Sequence, residues 1–211
     1  MNNKLLIGLW LCIAMTQTAL SQTPIPGVGW QKAFGGSGYE GGGATNPFDS
    51  LHTNFKSLLK TQDGGFIIGS LASSADGDVA GNIGYNRIWI SKIDSSGTIQ
   101  WKNFFGNVGQ WNLLGSVIEA EGGGYMMVGT AKAGDDNLPN NPNADDVLLV
   151  KMNEDGQVAW QRKYGGTGID RGYSVARNKT GGYTVVGYTE SSDGDAVSPG
   201  KDAGDLWLLK V

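Results

Sequence analysis

Lys92-Ile93-Asp94-Ser95-Ser96-Gly97-Thr98-Ile99-Gln100-Trp101 returns as Lys151-Met152-Asn153-Glu154-Asp155-Gly156-Gln157-Val158-Ala159-Trp160, and Lys210-Val211 begin a third copy. Lysine and tryptophan are nine residues apart in both complete copies. A second ladder, Ser57 to Phe66, Ser116 to Tyr125 and Ser174 to Tyr183, keeps the same nine-residue spacing and crosses a Gly-Gly pair just before each aromatic. A fixed period of this kind marks a repeat architecture, and residues shared by every copy are expected to build the unit rather than to act.

Within one copy the strands are legible from alternation and turn residues. Tyr173 to Arg177 reads as a short strand, Asn178-Lys179-Thr180-Gly181-Gly182 as a hairpin turn, and Tyr183 to Thr189 as the returning strand. A polar loop from Glu190 to Gly204 leads to a third strand, Leu206 to Val211. In the earlier copies that strand passes through a tight Asp/Asn-x-x-Gly turn into a fourth, Thr98 to Phe104 and Gln157 to Tyr164. No window beyond the first 21 residues holds a helical period. Glycine, 35 of 211 residues without a collagen period, fits a chain of many short strands and turns.

Four antiparallel strands per copy of about 59 residues is the arithmetic of a propeller blade. The expected fold is therefore all-β, with β-propeller-type repeats forming three four-stranded antiparallel blades at about 55–105, 113–164 and 173–211, plus an N-terminal strand at 30–34. A β-sandwich or β-prism would account for the turns but not for the four-strand period.

The first 21 residues read differently. Met1 to Lys4 is a basic start, Leu5 to Met15 an apolar stretch, and Ala19-Leu20-Ser21 supplies small residues for a signal peptidase. The expectation is a signal peptide over 1–21, cleaved near Ser21, and an exported repeat domain over 22–211, in the periplasm, at the cell surface or outside the cell. The apolar run is shorter than the roughly 20 residues a membrane span needs, and no later segment is apolar enough to be one. Cys12, the single cysteine, lies in this leader behind Leu11, where lipidation would require a small residue. With 20 acidic against 16 basic residues, there is no basic stripe for nucleic acid.

The run Trp160-Gln161-Arg162-Lys163-Tyr164-Gly165-Gly166-Thr167-Gly168-Ile169-Asp170, followed by Tyr173-Ser174-Val175-Ala176 and Gly181-Gly182-Tyr183-Thr184-Val185-Val186-Gly187-Tyr188-Thr189, resembles the β-propeller repeat of secreted bacterial proteins, exported proteins of Bacteroidota among them. The resemblance covers nearly all of the chain after the leader. It implies a fold and an exported setting, and says little about activity. Two departures stand out: only three blades are present, and no sorting domain follows Val211.

Trp30 to Phe34 matches the fourth strands Trp101 to Phe105 and Trp160 to Tyr164, and the last strand of the chain is the one it should pair with. The ring could thus be completed in three ways: by a longer parent protein, by a homo-oligomer, or not at all in an open arc whose edges stay exposed.

Several residues invite a functional reading. Acidic loops recur at one offset, Asp76-Gly77-Asp78, Asp135-Asp136-Asn137 and Asp193-Gly194-Asp195. Carboxylates so spaced can converge on Ca2+, although two side chains per loop fall short of its six to eight oxygens; the favoured reading is that each Asp caps its own turn. No other cofactor is implied. Trp30, Trp101 and Trp160 repeat and read as packing between blades, and Trp89 and Trp207 as buried strand residues. Trp111, in Gly109-Gln110-Trp111-Asn112, has no counterpart and could stack on a sugar ring. An insertion in the first copy carries Glu40, Asp49 and the single histidine, His52, and long non-repeating loops are where function concentrates. Gly35-Gly36-Ser37-Gly38 and Gly165-Gly166-Thr167-Gly168 read as connecting turns, not phosphate loops, because no helix follows.

Two function classes follow. The favoured one is an exported, non-catalytic binding or scaffold module with a glycan or protein ligand, its candidate contacts Trp111, His52 and Asp49. The alternative is a glycan hydrolase or lyase with paired carboxylates. A catalytic pair should break the repeat, and apart from Glu40, Asp49 and Asp170 the acidic residues mostly follow it. Arg87, standing where the other copies have Asp146 and Asp205, is a second break.

Overall fold

The computed structural model describes residues 28–38, 40, 57–110, 112–132, 145–196 and 204–211. The chain divides into two compact units, Met1–Gln31 and Lys32–Val211. Of the first, only residues 28–31 are described, and they carry no strand. His52, Asp49, Trp111, Asp135 and Asn137 lie outside the described residues.

The second unit is all-β, with three antiparallel sheets of four, four and three strands. The first sheet runs β1 (Ser57–Lys60), β2 (Phe66–Ala72), β3 (Arg87–Ile93), β4 (Ile99–Phe105). The second runs β5 (Asn112–Glu119), β6 (Tyr125–Lys132), β7 (Asp145–Met152), β8 (Val158–Tyr164). The third holds β9 (Asp170–Arg177), β10 (Tyr183–Thr189) and β11 (Asp205–Lys210). Each strand pairs with its sequence neighbour, the shortest connection available to antiparallel strands. Among the described residues the only helical turn is a short 3-10 segment, Gly77–Val79.

The register repeats as the sequence does. Ser57, Ser116 and Ser174 pair with Gly69, Val128 and Val186, and Arg87, Asp146 and Asp205 pair with Ala72, Ala131 and Thr189. Glu40 forms an isolated bridge to Ala72, as Asn112 pairs with Ala131 and Asp170 with Thr189. The pairing of the first copy is therefore in phase with that of the others at Glu40 and again from Ser57.

Alternation along the third strand of each sheet sets the two faces that the neighbouring sheets cover. Ile88 and Ile90 face the second sheet and are buried with Leu114, Val117, Met127, Leu148 and Val150. Val147 and Leu149, at the same positions one copy later, are buried with Val175, Tyr183 and Val185 of the third sheet. Each such side chain contributes about 1.5–3 kcal/mol. A hydroxyl staples each junction: Ser57 Oγ accepts the Val117 N–H and Ser116 Oγ accepts the Val175 N–H, both at 3.0 Å. A smaller cluster of Ala72, Val79 and Trp89, with Phe34 and Phe104 against it, lies under the Gly77–Val79 turn.

The expected strand at 30–34 is not formed. Lys32 and Gly35 are tied to the first sheet, through Lys32 Nζ to the Gly97 carbonyl (2.9 Å) and the Gly35 N–H to Asp78 Oδ2 (3.1 Å). A segment held there cannot also pair with β11 of its own chain, which is two sheets away.

Candidate functional site

The two acidic loops among the described residues, at Asp76 and Asp193, are clasps. Asp76 Oδ1 accepts the Ser37 N–H and Asp193 Oδ1 accepts the Thr167 N–H, each at 2.7 Å. The Asp78 and Asp195 N–H groups donate to the Gly35 and Gly165 carbonyls, each at 2.9 Å. Each Asp-Gly-Asp turn thus locks onto the Gly-Gly-Ser/Thr-Gly turn that opens its own repeat. The closeness needs glycine: a Cβ on Gly36 would run into the Asp76 and Ser74 side chains, and one on Gly166 into Asp193. The Ser37 N–H holds the Asp76 carboxyl below its usual range. No three His, Cys, Asp or Glu side chains among the described residues form a group that could hold a metal.

At the next position the repeat does diverge. Asp170 Oδ2 accepts the Gly166 N–H (2.8 Å) and the Ser191 hydroxyl (2.7 Å). Glu40 does the same work in the first copy, accepting the Gly36 N–H (3.2 Å), the Ser74 N–H (2.9 Å) and the Ser74 hydroxyl. Asn112 takes the place in the second, accepting the Asn107 N–H (3.1 Å) and donating to the Asn86 and Asn107 carbonyls (both 2.8 Å).

Asp146 and Asp170 converge on Gly165, both fully buried, and Oδ1 of each has no hydrogen-bond partner. Burial, with the charge of Asp170 beside it, pushes the Asp146 carboxyl up to about 7, against a smaller opposing pull from Lys163. This is the break in the repeat that Asp170 and Arg87 announced, and it brings two carboxyls together as an acid–base pair requires. It lacks access. Neither carboxyl reaches solvent, so no glycosidic bond can be laid between them.

An open cleft lies elsewhere, between the first two sheets at the end carrying the Gly-Gly turns. Its volume is about 760 Å³, and Asp63, Lys92, Trp101, Tyr125, Glu154 and Arg177 are among its walls. Trp101 and Tyr125 tilt against each other at 51° with centroids 5.9 Å apart, and the indole N–H donates to the Glu154 carbonyl at 2.9 Å. Gly156, at φ +79°, lies under the Trp101 ring, where a Cβ would be 2.6 Å from Cδ2. Lys92, buried, pairs with the half-exposed Asp63 at 2.7 Å, and that contact holds the Asp63 carboxyl well below the usual range. Trp101 is thus an inter-sheet packing residue and also a wall of the cleft, whereas its counterparts Trp30 and Trp160, expected to pack likewise, are 49% and 38% exposed.

Sequence reasoning passed over Asp63 and Arg177. The signal was present: Gly122 and Thr180 occupy the Asp63 position in the other copies, and Lys60 and Glu119 the Arg177 position. The cleft is where repeat-breaking charges meet repeat-keeping aromatics. No protein-family model matches the chain, and no curated protein matches it.

Proposed function

We propose that this chain is an exported, non-catalytic binding module on a β-propeller-type framework, and that it takes a neutral glycan in the cleft between the first two sheets. The observation that carries the reading is the cleft itself: an aromatic wall, Trp101 with Tyr125, beside amide and charged groups that do not repeat. Ligand sites combine apolar ring surface with a few polar groups that fix orientation. The acidic groups Asp63, Glu119, Glu154 and Asp155 outnumber Lys92 and Arg177 there, which disfavours polyanions. Export is supported by the basic, apolar and small-residue order of residues 1–21.

A glycan array probed with the full chain, followed by titration calorimetry on the hits, tests the reading. Binding to neutral oligosaccharides is expected, weakened at least tenfold by Gln62→Ala together with Arg177→Ala, which spare the packing of Trp101. Binding unaffected by that pair, or release of hydrolysed product, would overturn it.

A further inference from the structure

The Gly-Gly turns tie the second junction between sheets and leave the first untied. At the second, Glu121 is the latch: its N–H donates to the Tyr183 hydroxyl at 2.8 Å, and its Oε2 accepts the Gly182 N–H at 3.3 Å. Glu121 lies in the turn between β5 and β6, and Tyr183 opens β10, so the pair joins one sheet to the next. At the first junction the same two places hold Gln62 and Tyr125. Among the described residues the Tyr125 hydroxyl has no hydrogen-bond partner, and Tyr125 and Gln62 both line the open cleft.

The ring of Tyr125 is accounted for by packing, since it is buried in the core of the first junction and lies against Trp101. Its hydroxyl is not. Phe66, at the same place in the first copy, shows that the repeat accepts the ring without the oxygen, and a hydroxyl withdrawn from water without a partner costs free energy. Burial, with the charges of Asp63, Glu154 and Glu119, raises the hydroxyl above its usual range, so it keeps its proton and can donate. Lys92 does not compete as a donor there, because its Nζ is spent on both Asp63 oxygens (3.0 and 2.7 Å) and on the Ile93 carbonyl (3.2 Å). A ligand group seated beside Tyr125 therefore meets a hydroxyl that can donate and carboxylates that can only accept.

We infer that the Tyr125 hydroxyl is the specificity group of the cleft: it donates to a free hydroxyl of the bound sugar, whose own O–H donates in turn to the carboxylates of Glu119 and Glu154. A sugar hydroxyl is both acceptor and donor, which is what the two kinds of wall require, and bonds made in such a chain strengthen one another. The inference rests on the glycan reading of the cleft and narrows it to a glycan unsubstituted at that position. A deoxy or O-methyl sugar leaves one or both partners unmatched, and a site built to hydrogen-bond a hydroxyl rejects analogues that lack it. A carboxylate or sulfate at that position meets the charges of Glu119 and Glu154.

Tyr125→Phe in the full chain tests this, with the tightest-binding neutral oligosaccharide of the glycan array and its set of monodeoxy forms as probes in titration calorimetry. The variant is expected to bind the parent oligosaccharide about tenfold more weakly. The wild type is expected to lose a similar factor for one monodeoxy form, and the variant to bind that form and the parent alike, as coupled partners do. The urea midpoint of Tyr125→Phe should equal that of the wild type, whereas Tyr183→Phe, whose hydroxyl holds the Glu121 N–H, should lower it. Unchanged affinity in Tyr125→Phe, a lowered midpoint in that variant, or equal wild-type binding of every monodeoxy form would each overturn the inference. The cleft reading then still stands if Gln62→Ala with Arg177→Ala weakens the parent oligosaccharide. An array on which no neutral oligosaccharide binds overturns both.

Discussion

The two junctions between sheets share a backbone register and differ in their buried polar pair. At the first, Arg87 donates to the Gly106 carbonyl (3.2 Å) and the Phe104 carbonyl (2.8 Å), and Asn112 spends both ends of its amide on the neighbouring turn. At the second, the same two positions hold Asp146 and Asp170, two buried carboxyls with unpartnered oxygens. The difference teaches that apolar packing and the serine staple are enough to hold the sheets in phase. The polar pair is then free to vary, and at the second junction it includes a carboxyl pushed up by burial.

The largest expected effect tests what the junctions share. Leu149→Ala and Ile90→Ala should each cost about 2–5 kcal/mol in urea denaturation, since both side chains are fully buried. A large gap between them would break the comparison at its base. Next, Asp170→Ala leaves the Gly166 N–H and the Ser191 hydroxyl without their acceptor, at about 1–3 kcal/mol. Asp170→Asn should recover part of that loss, because an amide oxygen still accepts.

The third prediction concerns pH. Folded Asp146 keeps its proton to about 7, while the unfolded residue gives it up near 3.8. Between those values the native state binds more protons, so stability falls as pH rises through that window and is level above it. Asp63 and Asp76, whose carboxyls are held low, act in the opposite sense and below pH 3.8, so the two windows do not overlap. Denaturation midpoints at pH 5 and pH 8 should converge in Asp146→Asn. Arg87→Asp with Asn112→Asp should carry the same pH dependence into the first junction. Midpoints in Asp146→Asn that still differ as in the wild type would sink this assignment.

The smallest effect is on the clasps. Asp76 and Asp193 spend their Oδ1 atoms on backbone N–H groups, so EDTA should leave the melting temperature within about 1 °C, read by differential scanning fluorimetry. A larger shift would show that the loops bind a cation after all.

Spacing alone located the sheets closely: the expected span 55–105 became Ser57–Phe105, and 113–164 became Asn112–Tyr164. The third sheet begins at Asp170 rather than Tyr173, because a register shift at Val186/Gly187 lets Gly172, Arg171 and Asp170 continue the pairing. Asp170 and Arg87 were visible as departures from the repeat. Their meaning was not, since Asp146 and Asp170 come together only through the stacking of one sheet on the next.

The sequence by itself determined the strand order, the Gly-Gly turns and the period, because alternation and turn chemistry act over a few residues. Tertiary structure decided which carboxylates are clasps and which are a sealed pair, where a cleft opens, and which apolar faces stay uncovered. Those depend on contacts between copies, such as Ser57 with Val117 and Ser116 with Val175, that local pattern cannot encode. Leu149 and Leu208 are the same letter at the same place in the repeat, one fully buried and one 69% exposed, and among the described residues only Leu149 is covered by a neighbouring sheet.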